Sequence, residues 1–90
     1  MPPPAEPGRE AAADRLEELA LLCLYLGSWE EPAIGGTVHR AWKGFRFEVL
    51  DALEARGLIA QTRRAKSLYL TEQGLRRAQE LERRLASLSE

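Results

Sequence analysis

Phe45–Thr71, FRFEVLDALEARGLIAQTRRAKSLYLT, is the stretch from which the rest of the fold is read. Phe45, Val49, Leu50 and Leu53 fall on one side of a helical wheel, and Gly57 supplies the left-handed stop that ends such a helix. The spacing predicts a helix over 45–56. Leu58–Thr62 then reads as a short strand, Arg63–Lys66 as a basic turn and Ser67–Thr71 as the returning strand, with Leu68 and Leu70 inward and Tyr69 outward. Thr71 is placed to cap a further helix that runs to about Ser87, with Glu72 favourably in its first turn.

Upstream, Lys43-Gly44 is a tight turn, and Thr37–Trp42, TVHRAW, is expected to form one or two helical turns with Thr37 as the N-cap. Gly27–Gly36, GSWEEPAIGG, reads as a loop by its glycines, its proline and its lack of period. Before it a long helix runs from about Arg9 to Leu26. In its first half Ala12, Leu16, Leu19 and Ala20 share a face opposite Asp14, Glu17 and Glu18. From Leu19 onward, Leu19, Cys23 and Leu26 continue that face, while Leu21, Leu22 and Tyr25 make the other side apolar too. Met1–Gly8, MPPPAEPG, holds four prolines and is expected to be a disordered tail, leaving 9–90 as a single domain.

Ninety residues support one domain with a modest core, and 44% hydrophobic with 30% charged residues is the balance of an ordinary globular chain. The net charge of −1 argues against a uniformly basic nucleic-acid binder, but the charge is unevenly spread. Residues 1–36 carry seven acids and two bases, 37–67 seven bases and three acids, and 68–90 four of each, so the positive charge lies on the central helix and basic turn. A lone cysteine, Cys23, allows no intrachain disulfide and suits a reducing cytoplasm. The only long apolar run, Leu19–Leu26, is far too short to cross a bilayer, so no membrane partner is expected.

Residues able to do chemistry are few. His39 and Cys23 are single members of their kinds, and no metal site assembles from them; His39 is expected on the surface of the short helix and Cys23 in the core. No glycine-rich phosphate loop, nucleophile elbow or pair of acids in an apolar setting is present, so neither catalysis nor a cofactor is expected. Of the aromatics gathered between 29 and 47, Trp42 and Phe45 are expected to fill the core, whereas Trp29 and Phe47 are candidates for an exposed partner site.

The order helix, short helix, helix, strand, strand, helix resembles the winged helix-turn-helix fold over Ala11–Ser87. ALEARGLIAQTRRAKSLYLTEQG is similar to the wing region of the MarR and PadR types of bacterial repressor. RAWKGFRFEVLDALEARGLI followed by AKSLYLTEQG resembles a small bacterial family of uncharacterised domains that share an Ala-Trp-Lys-Gly-Phe turn and a Lys-Ser before the second strand. The resemblance implies a mainly α fold with a small two-stranded antiparallel wing, and a C-terminal helix that dimerises.

It also implies a small regulator that binds duplex DNA. Arg63, Arg64 and Lys66 would meet phosphates from the wing, and Arg40, Lys43 and Arg46 would clamp the backbone ahead of the central helix. The outward side of that helix carries Phe47, Glu48, Asp51 and Glu54, and three carboxylates entering a major groove are repelled by its phosphates. The same face is the basis of the alternative, an interaction or dimerisation module that does not bind DNA. For a homodimer, Leu21, Leu22 and Tyr25 of one copy are expected against the stripe Ala78, Leu81, Leu85 and Leu88 of the other.

Overall fold

The computed structural model describes residues 7–88, with side-chain surroundings from residue 12 onward. The elements are α1 (Pro7–Leu26), β1 (Trp29–Ala33), β2 (Gly36–Trp42), α2 (Phe47–Ala55), β3 (Ile59–Gln61), β4 (Ser67–Leu70) and α3 (Glu72–Leu88). The strands form one four-stranded antiparallel sheet in the order β1-β2-β4-β3. Its inner face gives Ala41, Ile59, Leu68 and Leu70 to a core completed by Ala20, Leu21 and Leu24 of α1, Val49, Leu50 and Leu53 of α2, Leu58, and Ala78 of α3. Of the tail expected over 1–8, residues 1–6 lie outside the described residues, and Pro7 and Gly8 belong to α1. Among the described residues no helix is long and apolar enough to cross a membrane.

The expected mainly α fold with a two-stranded wing is therefore wrong. The loop expected over 27–36 and the short helix expected over 37–42 are instead the hairpin β1–β2, which doubles the sheet. TVHRAW alternates Thr37, His39 and Ala41 on the inner face with Val38, Arg40 and Trp42 on the outer, and its β-branched and aromatic residues favour a pleated surface. Pro32 is tolerated because β1 is an edge strand. Ile34 and Gly35 close the hairpin, and Gly35 takes φ +86°, a left-handed placement that glycine adopts without steric penalty.

The long helix is also rolled relative to expectation. Ala20, Leu21, Leu22 and Leu24 are buried, whereas Leu16, Leu19, Cys23 and Leu26 face out. With α2, α3 and β2 all packed on it, α1 needs its apolar width on the 20/21/24 side, where small Ala20 permits close approach. Leu21, at 0% exposure, has no surface left to give a second subunit, and Leu22 at 6% has almost none. Cys23 is exposed and not a core thiol.

The junction of α2, β3 and α3 matches the expected signals and explains them. Gly57 sits at φ +76° behind α2. Thr71 Oγ1 accepts from the Gly74 N–H (3.0 Å) and donates to the Gly57 carbonyl (2.6 Å), while the Thr71 N–H donates to the Leu58 carbonyl (3.1 Å). Gly74 is buried where α3 presses on the backbone of Leu58. Ion pairs tie the helices from outside: Arg56 to Glu17 at 3.1 Å, and Arg77 to Glu18 and, at 3.2 Å, to Glu80. Hydrogen bonding first to Glu18 and then to Glu80 holds the Arg77 guanidinium above its ordinary pKa.

Candidate functional site

All three helices pack on one side of the sheet, so the other side looks outward. Alternation along the paired strands puts Trp29, Glu31 and Ala33 of β1, Val38, Arg40 and Trp42 of β2, Ser67 and Tyr69 of β4 and Ala60 of β3 on that outer face. None of them is buried, and Trp42 is 65% exposed. Trp42 does not fill the core, because its place in β2 points it away from the helices; Phe45, just beyond the strand, packs partly against the core. The rings of Trp29 and Trp42 meet with centroids 4.9 Å apart at 46°. Trp29 Nε1 donates to Glu31 Oε1 at 2.8 Å. The Arg40 guanidinium lies 4.4 Å from the centroid of Tyr69 and hydrogen-bonds its hydroxyl. Its Nε is buried and faces Glu31 at 3.6 Å, too far for a hydrogen bond. Arg40 thus belongs to the sheet face and not to a clamp ahead of α2.

One end of this face is basic. The Lys43 N–H donates to the Lys66 carbonyl (2.9 Å) and Lys43 Nζ to the Thr62 carbonyl (2.7 Å), stitching the exit of β2 to the β3–β4 turn. Lys43, Arg63, Arg64 and Lys66 therefore gather at the end where Trp42 pairs with Ser67, and Arg46 follows at the N-cap of α2. Arg56, Arg77 and Arg84 are paired with carboxylates. Arg46, Arg63, Arg64 and Lys66 are exposed and have no such partner among the described residues.

The acidic side of α2 adjoins this end. Phe47 is 77% exposed and Glu48, Asp51 and Glu54 are exposed. Two of these acids hold the edge strand β3: Asp51 Oδ1 accepts from Gln61 Nε2 (3.0 Å) and Glu54 Oε2 from the Gln61 backbone N–H (3.1 Å). Lys43 and Arg63 from the basic set and Phe47, Asp51 and Glu54 from the acidic set line one open cleft with Gln61.

Of the residues expected at a dimer interface, Ala78 lies in the core with Leu21, and Tyr25 is half-buried with its ring 6.0 Å from that of His39. His39 is on β2 and not on a helix; it is half-buried, with Nδ1 3.3 Å from Ser28 Oγ and Nε2 3.5 Å from Glu30. Leu81, Leu85 and Leu88 line a shallow groove with Leu19 and Leu22 of α1, rimmed by Arg15, Glu18 and Arg84. The aromatic sheet face as a unit escaped sequence reasoning. The signal that could have found it was the two-residue alternation of TVHRAW.

These features define a small α+β domain with three helices on one side of a sheet and an open aromatic face, basic at one end, on the other. Residues 12–87 match the family described as Domain of unknown function (DUF6429), and the chain belongs to it. The chain is also 40% identical over 80 residues to Uncharacterized protein y4hR of Sinorhizobium fredii (strain NBRC 101917 / NGR234), a match covering 84% of this chain and 95% of that protein. Both place it in an uncharacterised bacterial family, and no solved structure matches it.

Proposed function

We propose that the chain is a small bacterial nucleic-acid-binding protein that holds phosphates at the basic end of its sheet and serves a regulatory role. The observation carrying this reading is the gathering of Lys43, Arg46, Arg63, Arg64 and Lys66 around one end of the fold, four of them exposed and without a carboxylate partner among the described residues. Arg56 and Arg77 are paired with Glu17 and Glu18, whereas these cations stand together. Cations left together in water repel one another, and a polyanion relieves that repulsion. The three acids of α2 lie beside these five cations and weaken the site without cancelling it, since Asp51 and Glu54 keep their charge while bonded to Gln61. The test is binding to mixed-sequence oligonucleotides over a salt series. Replacing Arg63, Arg64 and Lys66 together by Gln should flatten the dependence of log affinity on log salt by about two to three units. Absence of any binding by the wild type at about 50 mM salt would sink the proposal.

A second proposal concerns assembly. Leu16, Leu19, Cys23 and Leu26 are exposed along α1 at 3-4-3 spacing, and Leu81, Leu85 and Leu88 continue the same spacing on α3 beside them. That spacing is the seam by which like helix pairs pack on one another, so a second copy of the chain is the proposed cover. The interface uses the 16/19/23/26 side of α1 in place of the 21/22/25 side expected from the sequence.

A further inference from the structure

We infer that the nucleic acid is single-stranded, with its bases stacked on Trp42 and Trp29 and on the Arg40–Tyr69 pair across the bare sheet face. The inference rests on the nucleic-acid reading above and adds the form of the ligand. Stacking needs planar groups open to the solvent, side by side, and close to cations that take the phosphates. Trp42 is 65% exposed, its ring centroid lies 4.9 Å from that of Trp29, and both stand on neighbouring strands of one rigid sheet. One strand further, the Arg40 guanidinium rests 4.4 Å from the centroid of Tyr69, offering a cationic plane held in place. Lys43 follows Trp42 and Lys66 precedes Ser67, the cross-strand partner of Trp42, so the cations stand at the end of the sheet where Trp42 lies, with Lys43 and Arg63 lining the cleft beside α2.

Duplex fits this surface poorly. Its bases are already stacked and paired, so the rings of the sheet face would meet only sugar and phosphate. A protein partner fits poorly as well. The face offers few aliphatic side chains, with Val38 the largest, and Arg40 stands at its centre on β2, whereas the core of a protein interface is depleted of charge.

The experiment titrates the full chain with a labelled mixed-sequence 12-mer, once single-stranded and once annealed to its complement, following both the label and the intrinsic tryptophan fluorescence. The single strand should bind at least about tenfold tighter and quench the tryptophans by stacking. Trp42→Ala should lose about tenfold or more in affinity for the single strand while leaving the weaker duplex binding unchanged, and Trp42→Phe should keep most of it. Because the quench is read in the wild type, a folding defect in a variant cannot mimic the result. Equal or tighter duplex binding without quenching, still abolished by the Arg63, Arg64 and Lys66 replacements, would overturn this inference and leave the nucleic-acid reading standing. No binding of either form removes both. Loss of self-association in Trp42→Ala with oligonucleotide affinity unchanged would give the sheet face to a second copy and also overturn it.

Discussion

Gly74→Ala is the sharpest probe of how the fold is held. A Cβ at this position would lie 1.9 Å from the Leu58 carbonyl oxygen and 2.8 Å from its carbonyl carbon, both backbone atoms that no rotamer change can move. An ordinary C–H···O contact is about 3.3 Å, so α3 must back away by more than about 1 Å. That movement pulls on three bonds: Thr71 N–H to Leu58 (3.1 Å), Thr71 Oγ1 to Gly57 (2.6 Å) and Gly74 N–H to Thr71 Oγ1 (3.0 Å). Loss of the cap is worth about 1 kcal/mol, one lost hydrogen bond about 1 kcal/mol, and the remaining overpacking about 1–3 kcal/mol. Alanine recovers about 1 kcal/mol of helix propensity, leaving a net destabilisation of about 3 kcal/mol. For a domain of this size that lowers Tm by about 12–24 °C. Urea unfolding followed by tryptophan fluorescence reads the change as a lower midpoint at constant slope. Gly44→Ala is the control, since its Cβ would meet nothing within 4 Å and its φ is not left-handed; its stability should be unchanged or raised by about 0.5 kcal/mol. A Gly74→Ala variant as stable as the wild type would refute the seating of α3 on Leu58.

Glu48 is the acid of α2 not engaged with β3, so Glu48→Gln should leave the unfolding midpoint unchanged and strengthen nonspecific oligonucleotide binding, measured at low salt by anisotropy. A loss of affinity would mean that the carboxylate itself contacts the ligand. For assembly, sedimentation at the highest soluble concentration should show a wild-type dimer, a monomer or aggregate for Leu85→Glu, and an intact dimer for Arg84→Glu, whose side chain is at the groove rim. A well-behaved wild-type monomer removes the dimer proposal.

The second half of the chain was legible because its punctuation is local. Gly57 at a left-handed φ, Thr71 as a cap and the alternation of Leu68, Tyr69 and Leu70 each act within a few residues, and all three stand where the sequence put them. The first half was not, because β1 and β2 are decided by pairing. GSWEEPAIGG has no apolar period since β1 is an edge strand with little to bury, and its proline is permitted only because one side of the strand is unpaired. TVHRAW is short enough to read as a helical stub, and only its pairing with both β1 and β4 makes the strand the better state. The roll of α1 has the same origin. With apolar residues on two sides, the choice between them belongs to the sheet and helices packed on it, and they select Ala20, Leu21 and Leu24.

The conformation of TVHRAW decides which surface the protein presents. As a helical stub, TVHRAW would put Arg40 ahead of α2 and Trp42 in the core, which is the layout of a duplex clamp. As a strand paired to β4, it stands Arg40 on Tyr69 and sets Trp42 beside Trp29 in water. The basic residues of the β3–β4 turn keep their sequence positions but gain a different neighbour: Lys43, bonded to the Lys66 and Thr62 carbonyls, ties the turn to the end of β2 where Trp42 stands. Charge alone would favour any polyanion. Charge at the end of a row of open rings favours one whose bases are free to stack, and that preference follows from the β1–β2 hairpin, because without it Trp29 and Trp42 would not share a face.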